Sequence, residues 1–600
     1  LRFAAENLSI GDSIKVETSN AKAFLIECTD ATTSLSMSEE RLFSLQNVAN
    51  IGNGNINATE NLPINVYYRP KNAEEWTSII SNQSITIQRN KKNLINIIYI
   101  AIFLVISLVP LFTFSGKQAA IGNETEADKP ALSDGLKLTA NIDSYFAQKF
   151  GFRNSLVYAQ NVLKETIFKT SGQTDVIVGE DGWLFYGRAL DDFLGTSVLD
   201  EVAIERMGAI LSMMQEYVER EDGEFIFVSA PDKMSVYGEY MPYYYIEEDG
   251  QGNYELLYDR LTELGVNTVQ LKNELAFAKL TGVQLYHRLD SHWNNYGAAV
   301  AYEAMAKKLS DVYGEAYSGY THYSGLPYNI KNNFSGDLQS MLLPGSQVKD
   351  EQVEFDVEES FEYLNRFRGV DDLVITTKNN VAAVDKSAAL FRDSFGNALY
   401  WFFANEYTSL TAKREIPYNI YQAVSEAELV AVELVERNLK NLLIYTPVIP
   451  SWNLAGAYSV QGEAAVMDGV TVRTENEGIT AGGTTAEGTA AGAADSVDSV
   501  DGIATAVVRL NTTADGLIEL TGSSDVLKPY AYMYLKIVDE AAGATAVYQL
   551  IPGEEGDFTL YLEPENADIS EAGLENFCYA FIVKNGNEYT EIPVSLTLQD

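Results

Sequence analysis

Cysteine and histidine are scarce in this sequence of 600 residues. The two cysteines, Cys28 and Cys578, lie near opposite ends of the chain, which excludes a disulfide framework. The three histidines, His287, His292 and His322, are too few for a histidine-rich metal site. We therefore expect neither a metal nor another cofactor.

Basic residues are also few. Lys and Arg together number 42 against 84 Asp and Glu, which gives a formal net charge of −42. A negatively charged surface repels nucleic-acid phosphates and anionic lipid head groups. The composition therefore predicts that the chain has no nucleic-acid partner.

An uncharged apolar run at residues 94–114 is the strongest compositional feature. As a helix it would span about 30 Å, the thickness of the hydrocarbon core of a bilayer. Arg89, Lys91 and Lys92 precede the run and acidic residues follow it. The positive-inside rule therefore predicts that the N-terminal end of the run lies on the cytoplasmic side of the membrane. We expect a single-pass anchor in the plasma membrane with the following residues extracytoplasmic. A buried core helix would need no such basic flank.

Six hundred residues are too many for one hydrophobic core. The segment at 474–500 consists mainly of Gly, Ala, Thr, Ser and acids, so it cannot bury enough apolar surface to fold. Short alternating runs after it are typical of a β-sandwich. We predict a small β-rich unit at 1–90, a stalk at 117–140, an α/β domain at 141–473, a flexible linker at 474–500 and a β-sandwich at 501–600.

The predicted α/β domain alternates helical and strand patterns, which favours an open parallel sheet with helices on both faces. Functional groups of such sheets gather at the carboxyl ends of the strands. The predicted strands are Glu224–Ser229, Val266–Leu271, Ser387–Phe391 and Leu429–Leu434, and the clearest helices are Glu201–Arg220 and 296–312.

The stretch LDSHWNNYGA at 289–298 places Asp290 two residues before His292. An aspartate there can accept the Nδ1 hydrogen of the imidazole and stabilise the imidazolium that forms during proton transfer. Alone, the pair is as well explained by a structural hydrogen bond. With His287 it could also form a three-ligand metal site, but no fourth ligand is apparent.

A second stretch, LFRDSFGNALYWFF, changes this interpretation. The apolar strand before it leads into a turn at 392–396 and then into a helical pattern, the order found in a nucleophile elbow. The start of a helix also supplies N–H groups for an oxyanion. Ser394 is therefore either a nucleophile or a simple helix cap.

Together, DSHWNNYGA and RDSFG resemble the Asp-x-His-Trp and Ser motifs of the SGNH-like O-acetyltransferases of alginate biosynthesis and of the related DHHW proteins. Further similar stretches are GEDGWLFYG at 179–187, VSAPDKMSVYGEYMP at 228–242, NNFSGDL at 332–338 and VAVELVERNL at 430–439. The resemblance covers about residues 140–450. It departs from DHHW proteins at Ser291, which stands where those proteins have their first histidine.

The resemblance implies an SGNH-hydrolase-like fold with Ser394 as nucleophile, His292 as general base and Asp290 as its orienting acid. It also implies a polysaccharide acceptor and a membrane-bound O-acyltransferase that supplies acetyl groups. The expected function is O-acetylation of a cell-surface or secreted glycan. A carbohydrate esterase and a non-catalytic glycan-binding protein are the alternatives.

Four other residues are weaker candidates for substrate binding. Lys233 follows a predicted strand and could bind an acidic sugar or form a structural ion pair. Arg392 and Asn397 flank the serine and could contact an oxyanion or stabilise the helix end. Trp293 could stack on a sugar ring, although a tryptophan in a short apolar run usually belongs to the core.

Overall fold

The chain divides into two compact units, Leu1–Gly116 and Lys117–Asp600. The predicted linker at 474–500, apart from residue 474, and most of the predicted stalk at 117–140 lie outside the described residues. The computed structural model describes residues 13–18, 23–27, 60–70, 72–87, 97–105, 127, 129–131, 137–149, 153–168, 171–246, 250–455, 466–467, 470–474, 503–539, 543–564, 577–585 and 588–599.

The first unit contains an antiparallel four-stranded sheet. Its strands lie in the order Ala23–Glu27, Ser13–Thr18, Glu60–Arg69 and Thr77–Ile87.

Within the apolar run at 94–114, residues 97–105 are helical and the others lie outside the described residues. None of the helices in the described part of the chain has the length and apolar character needed to cross a membrane.

A six-stranded sheet forms the centre of the second unit. Four of its strands are parallel neighbours, because Leu429–Val435 pairs with Glu224–Ala230 on one side and Val384–Phe391 on the other, and Tyr407–Lys413 follows. Every residue of Leu429–Val435 is buried, as expected for a central strand covered on both faces.

The prediction of an entirely parallel sheet is wrong. Val374–Asn379 and Phe361–Tyr363 add an antiparallel edge beyond Tyr407–Lys413. The predicted strand Val266–Leu271 is reduced to a single bridge between Thr268 and Phe227, because the chain enters a helix at Leu271.

Helices cover both faces of the sheet, as predicted. Along Glu224–Ala230, Phe225 and Phe227 pack into one core, whereas Ile226 and Val228 pack into the other. Successive side chains of a strand point to opposite faces, so this alternation means that the strand is buried on both sides. The predicted helix Glu201–Arg220 has those bounds in the structure, and the helix predicted at 296–312 is Asn295–Tyr313.

Other elements surround this core. Two antiparallel strand pairs are formed by Val176–Val178 with Leu184–Tyr186 and by Tyr328–Phe334 with Asp350–Phe355. The further α-helices described are Leu138–Lys149, Arg153–Phe168, Leu190–Phe193, Lys233–Val236, Asn253–Leu264, Leu271–Lys279, Asp337–Leu342, Gly396–Glu406, Ile420–Glu426 and Asn441–Ile444.

The C-terminal part is all-β, as predicted, but its sheet closes on itself. Glu588–Leu598 pairs with Cys578–Asn585 through its first half and with Ala504–Thr512 through its second half, which completes the ring around one apolar core. The seven strands of the ring lie in the order Ala504–Thr512, Ile518–Ser523, Asp557–Leu562, Ala544–Pro552, Tyr532–Asp539, Cys578–Asn585 and Glu588–Leu598. Of two further short strands, Val470–Thr474 pairs with Glu588–Leu598, and Val466–Met467 pairs with Val470–Thr474.

Arg206 fixes this all-β part to the α/β part. Its buried guanidinium donates to the carbonyl oxygens of Leu527, Lys528, Tyr530 and Gly553 at 2.8–2.9 Å. Residues of the all-β part also enter the apolar core beneath helix Glu201–Arg220. The two parts are therefore joined by a shared core and by a buried cation.

We predict that Arg206→Met destabilises the second unit by about 3 kcal/mol, because the carbonyls lose a charged donor. The midpoint of urea unfolding measures this change. The control Arg509→Met, at an exposed position, should change stability by less than about 0.5 kcal/mol. Equal effects of the two substitutions would contradict the structural role of Arg206.

Candidate active site

The segment that carries Asp290 and His292 is tightly held. Asn294 caps helix Asn295–Tyr313 by accepting from the N–H groups of Tyr296 and Gly297 at 2.9 and 3.0 Å. At Gly336 an added Cβ would lie 2.0 Å from the carbonyl oxygen of Leu289, so only glycine permits this approach. The approach lets the N–H of the next residue, Asp337, donate to Asp290 Oδ2 at 2.7 Å.

Ser394 lies in the turn between strand Val384–Phe391 and helix Gly396–Glu406. The carboxylate of Asp393 accepts from the N–H of Phe395 at 2.8 Å and from the N–H of Val435 at 2.9 Å. The first bond shapes the turn and the second ties it to the neighbouring strand. This is the strand–turn–helix arrangement predicted for a nucleophile elbow.

The structure brings Ser394, His292 and Asp290 into one hydrogen-bonded chain. His292 Nε2 lies 2.8 Å from Ser394 Oγ, and His292 Nδ1 lies 2.6 Å from Asp290 Oδ1. A carboxylate oxygen only accepts, so Asp290 favours the tautomer with the hydrogen on Nδ1. Nε2 is then an acceptor for the Ser394 hydroxyl.

The electrostatics of this chain suit a general base. Burial alone would lower the pKa of His292, but the charge and hydrogen bond of Asp290 outweigh burial and raise it. Burial would likewise raise the pKa of Asp290, but the interaction with His292 outweighs it and lowers the pKa. Asp290 therefore stays ionised and stabilises the positive charge that the imidazole acquires when it is protonated.

A cavity of about 330 Å³ opens onto these groups. Three of its residues belong to the segments just described, namely His292, Ser394 and Ser291. Its other lining residues are the acceptor Asp337 and the hydrogen-bond donors Tyr186, Arg188, Arg437 and Asn438. A small carbonyl compound in this cavity would meet both the serine oxygen and donors suited to an oxyanion.

Arg437 is the most constrained of these donors. Its guanidinium pairs with the buried carboxylate of Asp232 and lies over the rings of Tyr186 and Phe395, with centroids at 5.0 and 5.5 Å. Burial would lower the pKa of Arg437, but the charges of Asp232 and Asp393 raise it. The cavity therefore keeps a fixed positive charge beside Ser394.

Lys233 does not line the cavity, so its prediction as a substrate ligand is corrected. Its ammonium is buried and donates to the carbonyl oxygens of His287, Arg288 and Asp290. Burial lowers the pKa of Lys233 to about 8, against the opposing charge of Asp290. Lys233 therefore supports the backbone of the Asp-x-His segment and does not contact the cavity.

Trp293 and Arg392 are also structural. Trp293 is buried and donates its indole N–H to the carbonyl of Phe395 at 2.9 Å, which links the histidine segment to the serine turn. Arg392 is buried and donates to the carbonyls of Val370 and Asp372. Neither side chain lines the cavity at Ser394.

Asn397 is absent from the active-site cavity as well. Its side chain accepts from Arg392 and donates to Asp371 at 2.8 Å, and it lines a different cavity.

One group of described residues has the spacing of a metal site: Asp290, His292 and Asp337, with ligand atoms within 4.8 Å of one another. A metal there would have to replace the hydrogen bond between Asp290 and His292. His287, considered above as a ligand, hydrogen-bonds the carbonyl of Glu351 through Nδ1 and stacks on Phe334. The donor set is better matched to proton transfer than to metal binding.

Sequence reasoning missed the remaining cavity residues. The signal was present, because Tyr186, Asp337, Arg437 and Asn438 each lie in a stretch already noted as similar to the SGNH-like enzymes. Asp337 accepts from the hydroxyl of Ser291 at 2.6 Å and lies 3.9 Å from His292 Nδ1.

A family model shows which class of protein this chain resembles. Residues 176–391 match the model described as "SGNH hydrolase-like domain, acetyltransferase AlgX". The match includes Asp290 and His292 and ends three residues before Ser394. The resemblance drawn from the sequence motifs is thereby confirmed.

Several curated relatives are named as alginate O-acetylases. "Probable alginate O-acetylase AlgJ" of Pseudomonas fluorescens is 23% identical over 217 residues, which is 36% of this chain and 53% of that protein. The protein of the same name from Azotobacter vinelandii is 24% identical over 210 residues, 34% of this chain and 51% of that protein. The chain thus spans about half the length of these curated relatives.

Two solved structures are also similar. The O-acetyltransferase domain of Pseudomonas putida AlgJ is 18% identical, with a TM-score of 0.31, and covers 44% of this chain and 92% of that chain. Bacillus cereus PatB1 is 15% identical, with a TM-score of 0.35, and covers 44% and 96%.

The raised pKa of His292 predicts how the reactivity of Ser394 depends on pH. A general base works only when neutral, so acylation of Ser394 by an activated ester should rise with pH and have its midpoint above the ordinary histidine value of about 6.5. Asp290→Asn removes the charge that raises the pKa, so the midpoint should fall and the plateau rate should drop roughly 10³-fold or more.

The control is Asp311→Asn, at an exposed ion pair with Lys307, which should leave the profile unchanged. If Asp290→Asn leaves the midpoint of the pH profile unchanged, Asp290 does not set the pKa of the His292 imidazole.

Proposed function

We propose that this chain is an O-acetyltransferase that modifies hydroxyls of a polysaccharide through a Ser394–His292–Asp290 triad. The observation that carries the proposal is the continuous hydrogen-bonded chain from Ser394 to Asp290 at the edge of an open cavity. The match to an acetyltransferase family model and the relatives named alginate O-acetylase support it.

The first half of the reaction acylates the serine. Ser394 Oγ attacks the acyl carbonyl of the donor while its proton passes to His292 Nε2. The imidazolium then gives this proton to the leaving group as the carbonyl–leaving-group bond breaks. Asp290 holds the ring and its charge throughout.

The second half transfers the acyl group. A sugar hydroxyl attacks the acyl-serine, His292 Nε2 removes the proton of that hydroxyl, and the ester bond to Ser394 breaks. The proton returns to the serine oxygen. In both halves the donors of Tyr186, Arg437 and Asn438, which line the same cavity as Ser394, would stabilise the oxyanion.

The proposal includes the cellular setting. The apolar run at 94–114, with basic residues before it, would anchor the chain in the plasma membrane with the triad outside the cytoplasm. A membrane-bound O-acyltransferase would supply acetyl groups from the membrane side, and no dissociable cofactor would be needed. The acceptor would be a cell-surface or secreted polysaccharide.

Incubation of the purified chain with an activated acetyl ester tests this function. We expect a mass increase on the peptide that contains Ser394, no increase in Ser394→Ala, and an unchanged increase in Ser318→Ala, a control at an exposed serine. Absence of the adduct on Ser394 in the unsubstituted chain would contradict the proposal and favour a binding protein.

The esterase alternative is separated by the fate of the acyl group. If acceptor oligosaccharide is present, a transferase forms acetylated oligosaccharide, whereas an esterase releases only acetate at a rate that the oligosaccharide does not change.

A further inference from the structure

A second cavity, of about 290 Å³, lies beside helix Gly396–Glu406. Its volume is slightly below the roughly 300–1,000 Å³ typical of small-molecule sites. It has no lining residue in common with the cavity at Ser394. Nothing in the reaction described above uses it.

Its position connects it to the triad. Asn397 and Ala398 line the cavity from the first turn of the helix that begins two residues after Ser394. Asn295 lines it from the first residue of the helix that begins three residues after His292. The cavity is thus bordered by the starts of the two helices that follow Ser394 and His292 in the sequence.

One side of the cavity is aromatic. Phe355, Tyr400, Trp401 and Phe402 line it, and Trp401 is half-buried. The indole N–H of Trp401 donates to Glu359 Oε1 at 3.0 Å, which fixes the orientation of the ring. A fixed aromatic ring offers a rigid apolar surface with a negative face, which suits the weakly positive C–H face of a pyranose.

The rest of the lining offers hydrogen-bonding groups. Asn295 Nδ2 donates to the carbonyl of Val353 at 2.8 Å, while its Oδ1 accepts no hydrogen bond from any other residue that the structure describes. Glu359 uses one carboxylate oxygen for Trp401 and has no ion-pair partner in the described part of the chain. Acceptors therefore remain for the hydroxyl groups of a ligand.

We propose that this cavity is a second glycan subsite, which holds one sugar unit of the same acceptor chain of which another unit is acetylated at Ser394. The inference rests on the proposed function for its choice of acceptor. A sugar ring would stack on Trp401 and donate hydroxyls to Asn295 Oδ1 and Glu359. Glu354 is already paired with Lys331, whereas Glu359 has no ion-pair partner among the described residues. The negative charge of Glu359 would repel the carboxylate of a uronic acid, so the subsite prefers a neutral sugar.

Calorimetric titration of the full chain carrying Ser394→Ala tests the subsite without any acyl chemistry. The probes are cellohexaose, as a neutral oligosaccharide, and oligogalacturonate of the same length. We expect cellohexaose to bind more tightly than oligogalacturonate. Adding Trp401→Ala should raise the Kd for cellohexaose about tenfold or more, whereas Trp401→Phe should change it less than about threefold.

Glu359→Gln, at an exposed position, tests the polar side without disturbing the core and should raise the Kd about fivefold. Phe277→Ala, at an exposed aromatic residue on another helix, should leave binding unchanged.

Failure of the unsubstituted Ser394 to form an adduct would overturn the proposed function alone. The subsite is overturned if cellohexaose does not bind, if oligogalacturonate binds more tightly, or if Trp401→Ala and Glu359→Gln bind like their parent.

Discussion

The hydrogen bond between the Asp290 carboxylate and the Nδ1 hydrogen of His292 is the interaction on which the site depends. Asp290 is buried, and a buried carboxylate is costly unless its oxygens are hydrogen-bonded. Three N–H groups meet this requirement, two from His292 and one from Asp337. Lys233 binds the carbonyls of the same segment from behind, so the carboxylate and the ring are held in one orientation.

The parallel sheet explains why distant parts of the chain meet at this ring. Three adjacent strands end at one edge, and each is followed by a residue of the site or its support: Asp232, Ser394 and Arg437. The ion pair of Asp232 with Arg437 and the bond from Val435 to Asp393 join the three strand ends. The carboxyl edge of the sheet thus acts as a single frame for Ser394 and Arg437.

Much of this could be predicted from the sequence where the signal is local. The apolar spacing of Glu201–Arg220 gives its bounds, and the strand before Ser394 and the pair Asp290 and His292 are visible as short patterns. The antiparallel edge was missed although Val374–Asn379 alternates buried and less buried positions, because such an alternation indicates a strand but not the direction in which it pairs. Local patterns also gave no indication of which surface the all-β part would contact through Arg206.

Side-chain roles were hardest to predict when their partners were distant backbone groups. Lys233 is consistent with either a ligand or a support until the carbonyls of residues 287–290 are placed around its ammonium. Trp293 is likewise explained only by the carbonyl of Phe395, which the fold brings from the serine turn. These bonds join residues that are far apart in the sequence, so no local periodicity predicts them.

The position of the hydrogen on the His292 ring tests the central claim most directly. The chain has three histidines, so nitrogen-15 NMR of histidine-labelled protein resolves the ring by comparison with His292→Gln. At a pH above the titration of His292, the account predicts a hydrogen on Nδ1 and a bare Nε2 that accepts from Ser394. A neutral ring with its hydrogen on Nε2 would contradict it, because that ring could not take the serine proton.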